Sequence, residues 1–555
     1  MRHFILVFIN LVTIISIGYG QLPSDYPFKV IVDESGTIYI TGEKEGDLTT
    51  AKYSAQSLPI WERSYLNIGF DKGMDLTKAD DYLYVAGYIT NSTSGKFDIV
   101  LIKYDTASGS IIWTKTYGDI NYNDQAFGIV NDESGDIYIC GYETSKKNKN
   151  IKIIKSNRFN GDAIWQTSFD GFLQGDDVGT DILIDDYHLY VLGSTYQGSN
   201  YDDDVIQLSY RLDNFSHTDT LIYHHKGKEI PTSFIISDFS NNVLQKSRTS
   251  MTVITDNIGI PRSKDFLTLT FRGKEFIWKQ QFNGNNLDDV PTAIDVYDSS
   301  LYVTGFSYRS PMNSDFSTIK YKLFEEGAYG WTDTAVRYFD YRGGKDQGSS
   351  VKVKDRDTIY IAGVSELAEN GFVIKKYSQT NGGIILAWER LFSPDIDNIQ
   401  QYATMKKASV LELDGSDNVY QINYFWNDNN KYYSIVKYDA NGNQLFVIDN
   451  LTDQRDDLNT LKNSENKISK LSNYPNPFNP KTVISYQLAV SSFISLKVYD
   501  VLGNEVAILV NERQNAGSYN YQLSTINYQL SSGIYFYSIY ANDILVDTKK
   551  CLLIK

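Results

Sequence analysis

Residues Asn131–Gly141 read NDESGDIYICG, an acidic turn followed by a short apolar strand that carries a tyrosine and ends on glycine. Alternating apolar and polar residues on both sides of a tight turn predict two paired β-strands. The pattern recurs along the chain. Clear copies stand at Val32–Gly42, Asp80–Gly87, Asp185–Gly193, Tyr297–Gly305 and Lys354–Gly363, with a weaker copy at Leu413–Ile422 and a degraded one at Ser247–Asp256.

A second half-motif follows each copy, and Phe97–Gly118 (FDIVLIKYDTASGSIIWTKTYG) is a clear example. It contains two more alternating strands around a glycine turn, so a full repeat is a four-stranded antiparallel meander. Eight such repeats recur at roughly 45 to 60 residues. A single meander cannot bury both faces, whereas a ring of meanders can. We therefore predict an all-β fold, a β-propeller of about eight four-stranded blades, or of seven if one repeat is divided to close the ring.

Six of the seven tryptophans stand at matching places, 19 to 26 residues after the position of the first half-motif's glycine. Their recurrence favours packing between blades over a row of ligand-stacking rings, and burial of each indole contributes on the order of 2–3 kcal/mol. The predicted blade-packing residues are Trp61, Trp113, Trp165, Trp278, Trp331 and Trp388.

The repeats resemble the SBBP type of bacterial β-propeller repeat, a family defined by architecture more than by activity. Tyr104–Trp113 also resembles the tryptophan-docking motif of pyrroloquinoline-quinone dehydrogenases, which are eight-bladed propellers. That second resemblance makes a quinoprotein the sharpest enzymatic alternative. The vicinal cysteines present in many of those enzymes are absent here, and we predict no cofactor.

The N-terminal segment 1–20 has a charged start, an apolar run from Phe4 to Ile17, and small residues at Gly18 and Gly20. This layout predicts a cleaved secretory signal peptide. The apolar run is shorter than the ~20 residues that span a bilayer. Because no other stretch is long enough, we predict no transmembrane segment in the mature chain.

The C-terminal part differs from the repeats. We predict a propeller over residues 21–450, a polar linker over 451–470 and a small Ig-like β-sandwich over 471–555. The sandwich opens with YPNPFNP at Tyr474–Pro480, where three prolines fix the backbone and remove hydrogen-bond donors. Six or seven short alternating strands follow.

This C-terminal part resembles the type A sorting domain of the type IX secretion system in five blocks, YPNPFNP, VYDVLGNEV, AGSY, LSSGIYFYSI and TKKCLLIK. It departs mildly from that family at Ala489 and Cys551. The resemblance implies export to the periplasm, translocation by the secretion machinery, and display on the cell surface or release. The residues that carry it are Tyr474, Pro475, Asn476, Pro477, Pro480, Tyr499, Asp500, Gly503, Gly517, Gly533, Tyr535, Lys549 and Lys550.

Charge and composition exclude several functions. A net charge of −16 disfavours nucleic-acid binding, which requires a basic surface. Two distant cysteines exclude a disulfide scaffold and a cysteine-based zinc site. Asp439, Asn441 and Asn443 begin like a calcium loop, but the bidentate Glu is missing and turn formation explains these residue types equally well. We predict no metal site and allow only weak surface calcium binding.

The sequence therefore favours a non-enzymatic, secreted or surface-bound propeller that binds an extracellular glycan or protein and engages the type IX machinery. The alternative is a secreted enzyme, either quinoprotein-like or a hydrolase with carboxylates around the central channel. Three or more convergent acids at the channel would favour the enzyme.

Overall fold

The structure, a computed structural model, describes residues 27–449 and 468–554 apart from internal stretches, of which 238–247 and 393–405 are the longest. The chain forms two compact units, Met1–Leu451 and Thr452–Lys555. The predicted signal peptide and most of the predicted linker lie outside the described residues. The first strand of the C-terminal unit begins at Ile468, inside the segment predicted as linker.

Within the described residues, the N-terminal unit contains eight four-stranded antiparallel sheets. Sheet 1 contains β1 (Pro27–Val32), β2 (Ile38–Lys44), β3 (Asp47–Tyr53) and β4 (Pro59–Tyr65). Sheet 2 contains β5 (Lys72–Ala79), β6 (Tyr82–Thr90), β7 (Phe97–Asp105) and β8 (Ile111–Tyr117). Sheet 3 contains β9 (Gln125–Asn131), β10 (Ile137–Thr144), β11 (Lys149–Ser156) and β12 (Ala163–Phe169). Sheet 4 contains β13 (Asp177–Ile184), β14 (His188–Tyr196), β15 (Asp203–Arg211) and β16 (His217–Tyr223).

The remaining four sheets follow in chain order. Sheet 5 contains β17 (Ile230–Ser237), β18 (Arg248–Asn257), β19 (Ser263–Arg272) and β20 (Glu275–Phe282). Sheet 6 contains β21 (Asp289–Tyr297), β22 (Ser300–Ser310), β23 (Asn313–Leu323) and β24 (Trp331–Phe339). Sheet 7 contains β25 (Asp346–Asp355), β26 (Thr358–Ser365), β27 (Phe372–Thr380) and β28 (Gly383–Phe392). Sheet 8 contains β29 (Lys406–Leu413), β30 (Val419–Trp426), β31 (Lys431–Tyr438) and β32 (Gln444–Asp449).

The sheets follow one another in a propeller-like arrangement. The first strand of each sheet contacts the first strand of the next, and β29 contacts β1. Sheets 8 and 1 share a hydrophobic cluster that includes Ile38, Val410 and Ile422. Each sheet is built from four consecutive strands. The described sheets 1 and 8 therefore meet through side-chain packing and a few hydrogen bonds, without exchanging a strand.

A row of three side chains crosses strands two, three and four of several sheets. In sheet 1, Tyr39 stands opposite Lys52, which stands opposite Trp61. The Lys52 ammonium lies over the Tyr39 ring at 5.4 Å from its centroid, a cation–π contact. The same Tyr–Lys–Trp row recurs in sheets 2, 3 and 7, as Tyr84–Lys103–Trp113, Tyr138–Lys155–Trp165 and Tyr360–Lys376–Trp388.

The row ties its sheet to the next one. Lys52 Nζ and Trp61 Nε1 both donate to the carbonyl oxygen of Thr106 in sheet 2, at 2.8 and 3.0 Å. Lys376 and Trp388 donate in the same way to the carbonyl of Ala440 in sheet 8, at 2.9 and 3.1 Å. Sheet 8 has Lys437 in the equivalent place, and its ammonium donates to the carbonyl of Ala55 in sheet 1 at 3.4 Å.

Glycine in the receiving turn lets the indole approach. Gly109 has a φ of +69°, and a Cβ at this position would lie 2.5–2.9 Å from the Trp61 ring. Gly161 and Gly442 receive Trp113 and Trp388 in the same way. Any other residue would clash with the indole and strain the left-handed backbone.

The other predicted tryptophans occupy related places. Trp165 stacks on Phe215 of sheet 4 with ring centroids 5.1 Å apart, and Trp278 meets Tyr321 of sheet 6 edge-on at 5.1 Å. The side chain of Trp331 lies outside the described residues.

The C-terminal unit contains two sheets around one hydrophobic cluster. The first sheet has the order β33-β34-β37 and the second β36-β35-β38-β39. The elements are β33 (Ile468–Tyr474), β34 (Lys481–Leu488), β35 (Ser492–Tyr499), β36 (Glu505–Gln514), β37 (Gly517–Ser524), α1 (Thr525–Tyr528), β38 (Gly533–Ala541) and β39 (Ile544–Leu553).

We predict that Trp61→Ala destabilises the N-terminal unit by about 3–5 kcal/mol, because it empties a buried slot and removes a hydrogen bond to sheet 2. Fluorescence-detected unfolding in denaturant measures this, since all seven tryptophans precede residue 427. The matched control is Ile60→Ala on the same strand, where the side chain is 48% exposed and the loss stays below about 1 kcal/mol. Equal losses in the two variants would contradict the role assigned to Trp61.

Candidate functional site

The first strands of the eight sheets are β1, β5, β9, β13, β17, β21, β25 and β29, and we call this set the inner ring. Charged side chains on the inner ring are the strongest candidates for chemistry, because loops and inner strands converge there in a propeller. Two groups of these charged side chains are described below. One contains Lys29, Asp75 and Asp181, and the other contains Asp295, Lys352 and Glu412.

Asp75 links three consecutive sheets. Its Oδ1 lies 3.4 Å from Lys29 Nζ of sheet 1, and its Oδ2 accepts a hydrogen bond from the backbone N–H of Ile129 in sheet 3 at 3.1 Å. Burial raises the pKa of the Asp75 carboxyl, while Lys29 and the backbone donors oppose this increase. The side chain thus acts as a connector between inner strands.

Asp181 occupies the corresponding place on β13, but fewer hydrogen bonds offset the cost of burying its carboxyl group. Its Oδ1 accepts from the N–H of Ile182 at 2.8 Å, whereas its buried Oδ2 has no hydrogen-bond partner. Burial raises the pKa of Asp181 to about 8, with Lys29 lowering it and Asp75 raising it further. Near neutral pH this carboxyl is therefore mainly protonated.

Cys140 lies next to this group. Burial, followed by the charges of Asp181 and Asp75, raises the pKa of its thiol well above the usual value. A thiol kept protonated in this way is a poor nucleophile. The structure therefore places Cys140 as a packed core side chain.

The charged side chains of the second group also join neighbouring sheets. Asp295 Oδ2 accepts from the N–H of Val353 in sheet 7 at 2.6 Å, and Lys352 Nζ lies 3.2 Å from Glu412 Oε2 in sheet 8. Burial raises the pKa of Asp295 to about 7, with Lys352 opposing the shift.

Several charged side chains of the inner ring are occupied by contacts between sheets, which limits the reactions they could catalyse. Asp75 and Asp295 each accept a backbone N–H from the following sheet, and two lysines pair with the acids across sheet boundaries. Across the part of the chain that the structure describes, no group of three or more His, Cys, Asp or Glu residues is placed to hold a metal ion.

Acidic residues in the turns are hydrogen-bonded locally or to a neighbouring sheet. Asp439 Oδ1 accepts from the N–H groups of Asn441 and Asn443, both at 2.8 Å, which is an Asx-type turn. Asp176 Oδ1 accepts from the N–H of Lys149 in the preceding sheet at 3.0 Å. These oxygens are used in shaping turns and joining sheets.

Sequence reasoning missed two recurring residues. The lysine of the Tyr–Lys–Trp row precedes Tyr or Ser in Lys52-Tyr53, Lys103-Tyr104 and Lys155-Ser156, so its recurrence was visible in the repeats. Asp75 and Asp181 each stand nine residues before the tyrosine of the second strand. Their partners on other sheets could be found only from the fold.

In the C-terminal unit, the structure brings the two ends of the sorting motif together. Asn476 Nδ2 donates to the carbonyl of Lys550 at 3.1 Å, and the N–H of Leu552 donates to Asn476 Oδ1 at 2.9 Å. The N–H of Phe478 donates to the Leu552 carbonyl at 2.9 Å, and its ring is buried in the hydrophobic cluster. The proline-rich entry segment therefore lies along the last strand.

The other predicted sorting residues are spread over the unit. Tyr535 is buried and its hydroxyl donates to the carbonyl of Ser531 at 2.9 Å. Tyr499 and Asp500 lie at the end of β35, Gly517 and Gly533 begin β37 and β38, and Gly503 lies outside the described residues. Exposed members are Tyr474, Pro475, Pro477, Pro480, Lys549 and Lys550.

Comparison with known proteins identifies the C-terminal unit. Residues 472–555 match the family described as secretion system C-terminal sorting domain. The chain therefore carries a signal for export by type IX secretion to the cell surface or extracellular space. None of the helices among the described residues has the length and hydrophobicity to cross a membrane. No curated protein matches the chain in sequence.

The chain also shows distant likeness to solved structures. The chain is similar to a europium-containing methanol dehydrogenase at 10% identity and a TM-score of 0.37, covering 84% of each chain. It is similar to the β-propeller domain of the Trilobed protease from Pyrococcus furiosus at 8% identity and a TM-score of 0.36, covering 68% of this chain and 96% of that one. It is similar to polysaccharide lyase Uly1 at 8% identity and a TM-score of 0.35, covering 66% and 90%.

We predict that Asp181→Asn reduces the loss of stability that the N-terminal unit undergoes as pH rises from about 4 to about 8. A carboxyl whose pKa rises from 3.8 to about 8 on folding binds its proton more tightly in the folded state, so stability falls as pH rises from about 4 through about 8. The amide keeps the acceptor for Ile182 and never ionises. The variant should gain roughly 1–3 kcal/mol at pH 8.5 and little at pH 5.

Thermal unfolding at the two pH values measures the effect. Asp186→Asn, an exposed acid in the following turn, is the control. A pH profile of Asp181→Asn that matches the wild type would contradict the assignment. A residual slope in the variant is expected from Asp295, whose pKa is also raised.

Proposed function

We propose that this protein is an exported, non-enzymatic binding or structural module. In this proposal, residues 21–450 form an eight-bladed propeller of SBBP-type repeats after removal of signal peptide 1–20. Residues 451–470 are a linker, and residues 471–555 are an Ig-like sandwich that the type IX machinery recognises. The six tryptophans set the blade packing, and the sorting residues Tyr474 to Lys550 carry the export signal.

The observation that carries the proposal is how two buried carboxylates of the inner ring, Asp75 and Asp295, are hydrogen-bonded. Asp75 and Asp295 are buried and accept backbone hydrogen bonds from the next sheet, and Lys29 and Lys352 face acids of neighbouring sheets. A hydrolase needs acids that reach a substrate or an activated water. Acids tied to the backbone in this way support a structural role.

The ligand surface in this proposal is the end of the ring where strands one and two, and strands three and four, are joined. Two aromatic rings stand out from turns at this end, Phe159 in sheet 3 at 70% exposure and Tyr187 in sheet 4 at 68%. Exposed aromatic side chains supply rigid contact area for a glycan or a protein.

Glycan and peptide arrays probed with the full chain test the binding proposal. We predict that any captured ligand binds the double variant Phe159→Ala/Tyr187→Ala at least about tenfold more weakly. Ile60→Ala, an exposed aliphatic change on an outer strand, serves as control and should leave binding unchanged. Turnover of an arrayed glycan by the wild type would contradict the non-enzymatic proposal.

Export is tested separately. A chain ending at residue 470 lacks the sorting domain, so it should fold, lose its signal peptide and accumulate in the periplasm. Cell fractionation, with protease resistance as the test of folding, measures this. Appearance of the intact truncated chain in the medium would contradict the sorting role of the C-terminal unit.

A further inference from the structure

The second sheet of the C-terminal unit has an apolar outward face. Along β38, Tyr535, Tyr537 and Ile539 are buried, while the alternating residues Ile534 and Phe536 are 41% and 37% exposed. The outer face of an antiparallel sheet on a small domain is normally polar. Large apolar side chains on this face therefore require an explanation.

Strand register joins these side chains into one surface. Phe536 stands opposite Tyr499 on β35 and opposite Lys550 on β39, and Ile534 stands opposite Leu552. Directly opposed residues have Cβ atoms about 4.5–5.5 Å apart, so these residues are neighbours on one face of the sheet. On β36, Ile508 is 45% exposed and stands opposite Lys497. We call the set Tyr499, Ile508, Ile534, Phe536 and Leu552 the apolar face.

Positive charge borders the apolar face. Lys550 is exposed and stands directly opposite Phe536, in a chain whose net charge is −16. A complementary partner would present an apolar pocket with acidic groups at its border.

The sorting motif holds this surface in place. Asn476 hydrogen-bonds the backbone of Lys550 and Leu552 on the edge strand β39, and Phe478 hydrogen-bonds the Leu552 carbonyl. The entry segment thereby fixes the register in which β39 presents the side chains of Lys550 and Leu552. Two motif blocks whose contacting residues are 74 and 76 positions apart in sequence thus determine one surface.

We infer that the apolar face is the docking surface of this domain, and that its occupant is a subunit of the export machinery with an apolar, acid-bordered pocket. The family match identifies the domain as a sorting signal, which must be bound by that machinery. The inference does not depend on what the N-terminal unit binds.

The test compares outward-facing substitutions in the full chain, in cells that possess type IX secretion. Phe536→Glu should lower the secreted fraction at least about tenfold, with the protein retained in the periplasm. Val483→Glu is the matched control, because Val483 is also 37% exposed but lies on the other sheet. Secretion of Val483→Glu should equal that of the wild type.

Two further variants separate docking from folding. Phe536→Leu keeps an apolar side chain and should be secreted like the wild type. Lys550→Glu reverses the charge at the border of the apolar face and should reduce secretion. Each purified variant should retain the thermal unfolding profile of the wild type. The inference fails if folded Phe536→Glu is secreted normally, or if Val483→Glu is retained to the same extent. It also fails if the wild-type chain dimerises in solution and Phe536→Glu is monomeric, since the face would then bind a second copy.

Discussion

The contact on which the N-terminal unit depends is the docking of one sheet's lysine and tryptophan onto a backbone carbonyl in the turn of the next sheet. A lone four-stranded sheet exposes two apolar faces and gains little from its own hydrogen bonds. Lys52 and Trp61 bring two donors to one acceptor, Thr106, while the indole covers Gly109. Burial of the ring and satisfaction of both donors occur in the same step, so packing and alignment of neighbouring sheets are coupled.

Much of this architecture could be read from the repeats. Alternation predicted four strands in each, and the recurring indoles predicted contacts between neighbouring sheets. The lysine was overlooked because Lys at the surface of a strand is common, and only strand register places it between Tyr39 and Trp61. A closed ring implies that sheets 8 and 1 meet, but the residues that join them, such as Gly36 and Tyr420, could not be predicted because they are far apart in sequence.

The inner acids show the limit of sequence reasoning most clearly. Nothing in the sequence distinguishes Asp181 from Asp186, yet Asp181 is completely buried and Asp186 is exposed. Burial raises the pKa of Asp181 to about 8, and Lys29, on a strand three sheets away, opposes this shift. In contrast, the sorting motif can be recognised in the sequence. Its prolines and glycines determine the local backbone geometry, which depends directly on residue type.

The contact between sheets 8 and 1 has an evolutionary consequence. Because each of the eight described sheets is assembled from four consecutive strands, sheets 8 and 1 share no strand. They meet through side-chain packing and single hydrogen bonds such as that from the Tyr420 hydroxyl to the Gly36 carbonyl. Gene duplication or loss of a whole repeat would change the circumference of the ring and leave every hydrogen-bonded strand pair intact. Such a molecule can vary its size between relatives by steps of one repeat, with natural joints already present at each boundary.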